Sequence, residues 1–182
     1  MEIVIVDVSE LEKFGLSVST ISKHSDARGD LSVFFEIGSS STEDVFVITK
    51  KRSLSKPGVF RGLHIQTSPY RQRKISKVIE GEIFQAFLDL DVNSPYFGQT
   101  ILARVSSQHD VTVSIPYHFA HGFFAPTGAE FEYICVGAYS EEHEISIAPN
   151  FLGFDMTLSD KDANGFSVES IIASIRSGRF LI

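Results

Sequence analysis

The stretch KISKVIEGEIFQAFLDL, residues 74–90, is two short runs rich in β-branched and aromatic residues that meet at Gly81. Such runs favour strands because branched and aromatic side chains pack well on a pleated surface, while glycine marks a break or bend. Runs of the same kind recur on both sides: EIVIVDV, LSVFFEI, DVFVITK, TILARVSS, VTVSIP, FAHGFFAP, AEFEYICVGAYS and EISIAP. Turn residues separate nearly all of them, and no long helical pattern intervenes. That spacing predicts an all-β sandwich or closed barrel rather than a parallel sheet with crossover helices. Two short helices are expected at the periphery. One is DVSELEKFG, capped by Ser9 and stopped by Gly15; the other is FSVESIIASIRSG, stopped by Gly178.

The chain of 182 residues is long enough for one domain with a substantial core and short for two, so residues 1–182 read as a single domain. No internal repeat or linker interrupts it, and the polar segment IGSSSTED at 37–44 reads as a loop. The formal charge of −7 argues against an electrostatic nucleic-acid binder, which needs a basic surface to neutralise phosphates. Any bound anion must then be held by a local cluster of cations. With Cys135 as the sole cysteine, no internal disulfide is possible, and a reducing, cytoplasmic compartment is the expectation. Within its apolar run Cys135 reads as a packing thiol rather than a nucleophile. No apolar run approaches the ~20 residues needed to cross a bilayer, and the acidic start MEIVIVDVSE is unlike a signal peptide, so no membrane association is expected.

Residues with chemistry fall into four clusters. GVFRGLHIQ, 58–66, puts Arg61 and His64 in one strand. Strict alternation would send positions 61 and 64 to opposite faces, but Gly62 permits a bulge that relieves this. Arg61 and Lys74 are candidate anion clamps, since guanidinium and ammonium groups suit phosphate oxygens. The second cluster, YHFAHGFFAP, carries His118 and His121. Three histidines, His64, His118 and His121, raise the alternative of a metal-dependent barrel, yet the H-x-H pair that such a site needs is lacking in LHIQ. The third, AEFEYICVGAYSEEHEIS, holds Tyr133, Tyr139 and Glu144; the two tyrosines are an even number of residues apart and share a face on an unbroken strand. The fourth, LSDKDANGF, offers Asp160, Lys161 and Asp162, either as a solvated turn or as a carboxylate delivered to a distant histidine to orient it.

In this order the clusters resemble the dTDP-4-dehydrorhamnose 3,5-epimerase family. The resemblance runs through DARG (26–29), GVFRGLHIQ (58–66), KVIEGEIF (77–84), SPYFGQ (94–99), FAHGF (119–123), EFEYICVGAYS (130–140) and LSDKD (158–162), most of the chain. It implies a cupin-type jelly roll, a homodimer, and a nucleotide-linked 4-keto-6-deoxy sugar inverted at C3, C5 or both without metal or organic cofactor. By the same resemblance His64 is the base, Asp162 its orienting carboxylate, Tyr133 the acid on the opposite face and Lys74 the stabiliser of the enolate oxygen. Arg61, His121 and Lys161 are expected to contact substrate or diphosphate, Arg28 the nucleotide, Tyr139 the sugar site and Glu144 a further polar edge. The chain departs from the family where Gln85 replaces an Asp near the lysine, where Thr49 and Lys51 replace a Gln-x-Asn pair, at Val33 where an acidic residue is expected, and at Met156 and Thr157 where a Trp-Pro is usual. These departures keep open a second reading, a non-catalytic barrel that only binds a sugar nucleotide.

Overall fold

The computed structural model describes residues 3–26, 29–33 and 47–182 of the chain. Twelve strands are assigned among them: β1 (Ile3–Asp7), β2 (Ser17–Thr20), β3 (Ser22–Asp26), β4 (Gly29–Val33), β5 (Ile48–Ser55), β6 (Val59–Gln66), β7 (Arg73–Asp89), β8 (Thr100–Ser106), β9 (Val111–Ile115), β10 (Phe119–Ala125), β11 (Ala129–Val136) and β12 (Glu144–Ser146). Two α-helices follow, α1 (Asp160–Ala163) and α2 (Val168–Arg176). The all-β, jelly-roll expectation holds. One layer runs β1-β8-β7-β10-β6-β12 and the other β2-β9-β7-β11-β5, while β3 and β4 form a separate hairpin.

The two runs that meet at Gly81 are one strand of 17 residues rather than two, and this strand joins the layers. Its first half pairs with β9 and β11, and its second half with β8 and β10. Gly81 takes φ +81°, and a Cβ there would stand 2.7 Å from the carbonyl oxygen of Gly128, so the bend depends on glycine. A bulge beside it has a second effect. Glu130 pairs with Glu80 but Phe131 pairs with Val78, so one residue of β7 is left over. Before the bulge even-numbered positions face the interior and after it odd-numbered ones do: Val78 packs into the same cluster as Ile83 and Phe87. Lys74 and Ser76 therefore share the barrel interior with Gln85.

The core has two parts. Between the layers lie Leu11, Leu16, Val78, Ile83, Phe87, Ile101, Val105, Ile115, Phe119, Phe123 and Phe131. On the outer face of the first layer, Phe60, Leu63, Ile65, Leu88, Leu102 and Phe124 are covered by Leu152 and by Val168, Ile171 and Ile175 of α2. These three helical positions recur at i, i+3 and i+7, one stripe of an amphipathic helix. Ser167 caps α2 by accepting from the N–H of Ser170, and Gly178 follows at φ +74°. At the other end of the chain the short helix is a 3-10 helix over Val8–Phe14, and its cap is Asp7 rather than Ser9: the Asp7 carboxylate takes the N–H of Ser9, and Glu10 reaches back to the N–H of Asp7. Among the described residues no helix is long and apolar enough to cross a membrane.

Candidate functional site

Strand β6 passes the centre of the barrel beside β10. His64 pairs with His121 but Arg61 pairs with Phe123, so Gly122 faces two residues of β6. The bulge expected at Gly62 is present, with φ +108° and no room for a side chain: a Cβ would lie 2.6 Å from Gly122 Cα and 2.7 Å from the His121 carbonyl oxygen. Phe60 and Leu63 both pack on the outer face, and Arg61 and His64 both line the interior. Two glycines facing each other thus bring an arginine and a histidine to one cavity.

That cavity has a volume of about 370 Å³ and is walled by Phe123, Phe131, Val59 and Leu158 on its apolar side. Its polar side carries Arg61, His64, Lys74, His121, Tyr133, Lys161 and Asp162. A second lobe of about 230 Å³ adjoins it, sharing His64, Lys74, Tyr133 and Lys161 and adding Lys51, Gln66, Gln72, Cys135, Tyr139 and Glu144. His64 and Tyr133 line both lobes.

Asp162 is brought to His64 from nearly a hundred residues away. The segment before α1 is tied to the start of β6 by Phe60 N–H to Thr157 O at 3.1 Å and Thr157 N–H to Gly58 O at 2.8 Å. Ser159 then caps α1 by accepting from the N–H of Asp162 at 3.2 Å. The carboxylate is buried and accepts from His64 Nε2 at 2.6 Å, from the Ser146 hydroxyl at 3.3 Å and from the Gly62 N–H at 3.4 Å. Burial works against its charge, but the hydrogen bond and charge of His64 and the donors Gly62 and Ser159 outweigh it and hold the carboxyl below its ordinary value. With Nε2–H spent on the carboxylate, Nδ1 of His64 has no partner among the described residues.

Lys74 donates to the carbonyl oxygen of His64 at 3.2 Å and has no carboxylate partner among the described residues, as the replacement at Gln85 predicts. Burial holds it at about 8, with the charge of Lys51 pushing the same way and Cys135 opposing. Cys135 itself is buried, and burial raises its thiol, in keeping with a packing role. Gln85 is fully enclosed; its Oε1 accepts from the Ser76 hydroxyl at 3.1 Å and lies 3.0 Å from His121 Nε2, while its amide nitrogen has no partner. The His121 ring stacks on Phe87 and is held neutral by burial first and then by the charges of Lys74 and His64. Tyr133 keeps its phenolic proton: burial and Cys135 raise it, and Arg61 only partly offsets them.

The even spacing of Tyr133 and Tyr139 does not act as expected. Strand β11 ends at Val136, Gly137 follows at φ +124°, and Tyr139 lies beyond the strand. Lys51 brings the two rings into one neighbourhood instead, its Nζ standing 5.8 Å from the Tyr133 centroid and 5.3 Å from that of Tyr139. The Tyr139 hydroxyl donates to Glu144 at 3.3 Å, and Lys161 pairs with the same oxygen of Glu144. His118 is not part of the site; it lies with Asp91, Asn93 and Tyr117 in a separate depression, away from His64 and His121. Arg28 lies outside the described residues. Ser146, Ser159 and Gln66 also belong to the site; Gln66 closes the motif GVFRGLHIQ, and no motif in the sequence marks Ser146. For Ser159 the signal is Ser-x-x-Asp at 159–162, because a serine three residues before an acidic residue marks a helix start.

A family model described as dTDP-4-dehydrorhamnose 3,5-epimerase matches residues 10–170. The dTDP-4-dehydrorhamnose 3,5-epimerase of Shigella flexneri is 35% identical over 126 residues, covering 65% of this chain and 70% of that enzyme. Among solved structures, the dTDP-6-deoxy-D-glucose-3,5-epimerase of Legionella pneumophila in complex with dTDP-4-keto-L-rhamnose is similar at 30% identity and a TM-score of 0.72, with 94% of this chain and 95% of that chain covered. A 3′-monoepimerase from Streptomyces bikiniensis in complex with dTDP-quinovose is 25% identical, with a TM-score of 0.74 and coverage of 92% and 89%.

Proposed function

We propose, from the premise that this chain belongs to the dTDP-4-dehydrorhamnose 3,5-epimerase family, that it inverts C3, C5 or both of a nucleotide-linked 4-keto-6-deoxy sugar. The observation that carries this reading is a His64–Asp162 hydrogen bond of 2.6 Å facing the same cavity as the phenol of Tyr133. Both carbons stand next to the C4 ketone, so each C–H is acidic enough to be lost as an enolate. His64 takes the proton at Nδ1; Asp162 holds the ring by Nε2–H and balances the charge the imidazole acquires. Lys74 stabilises the developing oxyanion at O4, and Tyr133 returns a proton from the opposite face. Inversion requires donor and acceptor on opposite sides of one ring, and the reading is supported by His64 of β6 and Tyr133 of β11 lining one cavity from different layers.

Arg61, His121, Lys161, Tyr139 and Glu144 surround the ligand in this reading, and Arg28 reaches the nucleotide. A neutral His121 recognises substrate by a hydrogen bond rather than by charge. The reaction needs no metal or organic cofactor, since the ketone itself stores the electron pair. A homodimer goes with the reading, supported by the exposed Ile5 on edge strand β1 and Leu54 on edge strand β5; light scattering that gives a monomer mass at micromolar concentration removes it. A cytoplasmic location is supported by the free thiol of Cys135.

The test is incubation with 4-keto-6-deoxy sugar nucleotides in heavy water. Deuterium is expected at C3, C5 or both, and His64→Asn or Tyr133→Phe should slow its entry by about 10²–10⁴-fold while thermal melting stays near wild type. Tight binding with no deuterium entry across a panel of such sugars would replace the enzyme with a binding barrel.

A further inference from the structure

We propose that Ser146 is a positioning residue for the base, its hydroxyl fixing the Asp162 carboxylate behind His64 and keeping the shared proton on the imidazole; this rests on the reading of the site as a sugar-nucleotide epimerase.

Strand β12 is three residues long and lies at the edge of the first layer, paired with β6. Its register sets Ser146 directly across from His64. Directly opposed residues of an antiparallel pair share a face, so the serine stands beside the histidine, while its neighbours Ile145 and Ile147 pack into the outer core. The backbone around Ser146 is tied on both sides. Ile147 N–H donates to Leu63 O at 2.9 Å and Leu63 N–H to Ile147 O at 3.2 Å. On the other side Phe166 N–H donates to the carbonyl oxygen of Ser146 at 2.9 Å, which returns the chain after α1 to β12. Gly165 makes this approach possible, since a Cβ there would lie 2.8 Å from that same oxygen. Short strand and short helix thus close on each other with the serine and the carboxylate between them.

An ionised carboxylate only accepts, so the direction of each bond is fixed. Oδ1 of Asp162 takes two donors, His64 Nε2 at 2.6 Å and the buried Ser146 hydroxyl at 3.3 Å, and Oδ2 takes the Gly62 N–H at 3.4 Å. Two consequences follow for His64. A carboxylate held at both oxygens cannot turn without losing a donor, so the imidazole bonded to it keeps one orientation toward the cavity. A donor at the oxygen that faces the ring also lowers that oxygen's affinity for a proton. The His64–Asp162 bond is short for a nitrogen donor, so the carboxylate competes strongly for the proton they share. Ser146 answers this competition: the proton stays on Nε2, and Nδ1 stays an acceptor for substrate. The serine contact is the longer of the two, and contacts of this kind tighten when a ligand fills the cavity.

Two variants test this. Ser146→Ala removes the hydroxyl, and Ser146→Cys keeps the volume with only a weak donor. Both should lower kcat by about tenfold with KM within about twofold of wild type, because the serine acts through the base and not on substrate. The acid limb of kcat/KM should move to higher pH in both, since a carboxylate with one donor fewer holds a charged imidazole more firmly; Arg61, Lys74 and Lys161, the other cations of the cavity, are unchanged. In the free protein the NMR resonance of the proton between His64 and Asp162 should shift downfield. A merely structural serine would move neither the limb nor this resonance. An acid limb that stays in place or moves down, a resonance that does not shift, or a kcat that stays at wild type overturns the proposal. The resonance is read without substrate, so failure here is distinct from a failure to exchange deuterium with any sugar nucleotide.

Discussion

Lys74→Met should make the protein more stable and inactive. The lysine is held at about 8 rather than its ordinary 10.5. At about 1.4 kcal/mol per pH unit, keeping its proton in the folded state costs about 3 kcal/mol. Methionine fills similar space without a charge, but leaves the carbonyl of His64 without its lysine donor, a loss of about 1 kcal/mol. The net gain expected at pH 7 is about 2 kcal/mol, or about 4–8 °C in Tm for a chain of this length. The sign has a pH signature. Below pH 8 the folded and unfolded states both carry the proton and the full cost applies; between about 8 and 10.5 the folded state releases it first, so wild type gains on the variant and the gap closes. Urea titrations of both proteins at about pH 7 and pH 10, paired with the deuterium assay, measure the two effects. A variant less stable than wild type at pH 7, or a gap that is the same at both pH values, would show that burial of this ammonium is not what lowers its affinity for the proton.

Gly62→Ala should cost about 3 kcal/mol or more, because alanine at φ +108° is strained and its Cβ meets backbone atoms of Gly122 and His121. Denaturant melts read the loss, and a variant within about 0.5 kcal/mol of wild type would mean that β6 and β10 can part without penalty. His121 is held well below 6.5 by burial and by the charges of Lys74 and His64, so its ring should show no NMR titration between about pH 6 and 8. Gln85→Glu sets a carboxylate 3.0 Å from that ring and should bring its titration up into the neutral range; a wild-type ring that already titrates near 6.5 contradicts the account.

Much of the fold and of the site is legible in the sequence. The short β-branched and aromatic runs mark a strand-rich chain, and RGLH, AHGF and LSDKD name the histidine, its neighbour and the carboxylate. That Lys74 has no carboxylate partner among the described residues follows from Gln85. Other features are not legible, because alternation is a local rule. Applied to β6 it separates Arg61 from His64, and applied to β11 and its extension it unites Tyr133 and Tyr139. Both inferences depend on an unbroken ladder, and bulges or strand ends depend on partners distant in sequence. The division of residues 74–90 into two runs misleads for the same reason: Gly81 bends a strand here instead of ending it.

Composition and pattern determined that the chain builds an all-β core, and the family resemblance of its motifs picked out an imidazole, a phenol and a carboxylate, in that order along the chain. Only the folded chain decided which of them meet. The bulges at Gly62 and before Gly81 change which alternate residues face inward, and each is held by a neighbouring strand that the local sequence does not specify. The cap at Ser159 and the ties to β6 then carry Asp162 across the chain to His64. The chemistry a side chain offers can be read from its type, but the face it occupies is set by strand register, which is a property of pairs of strands.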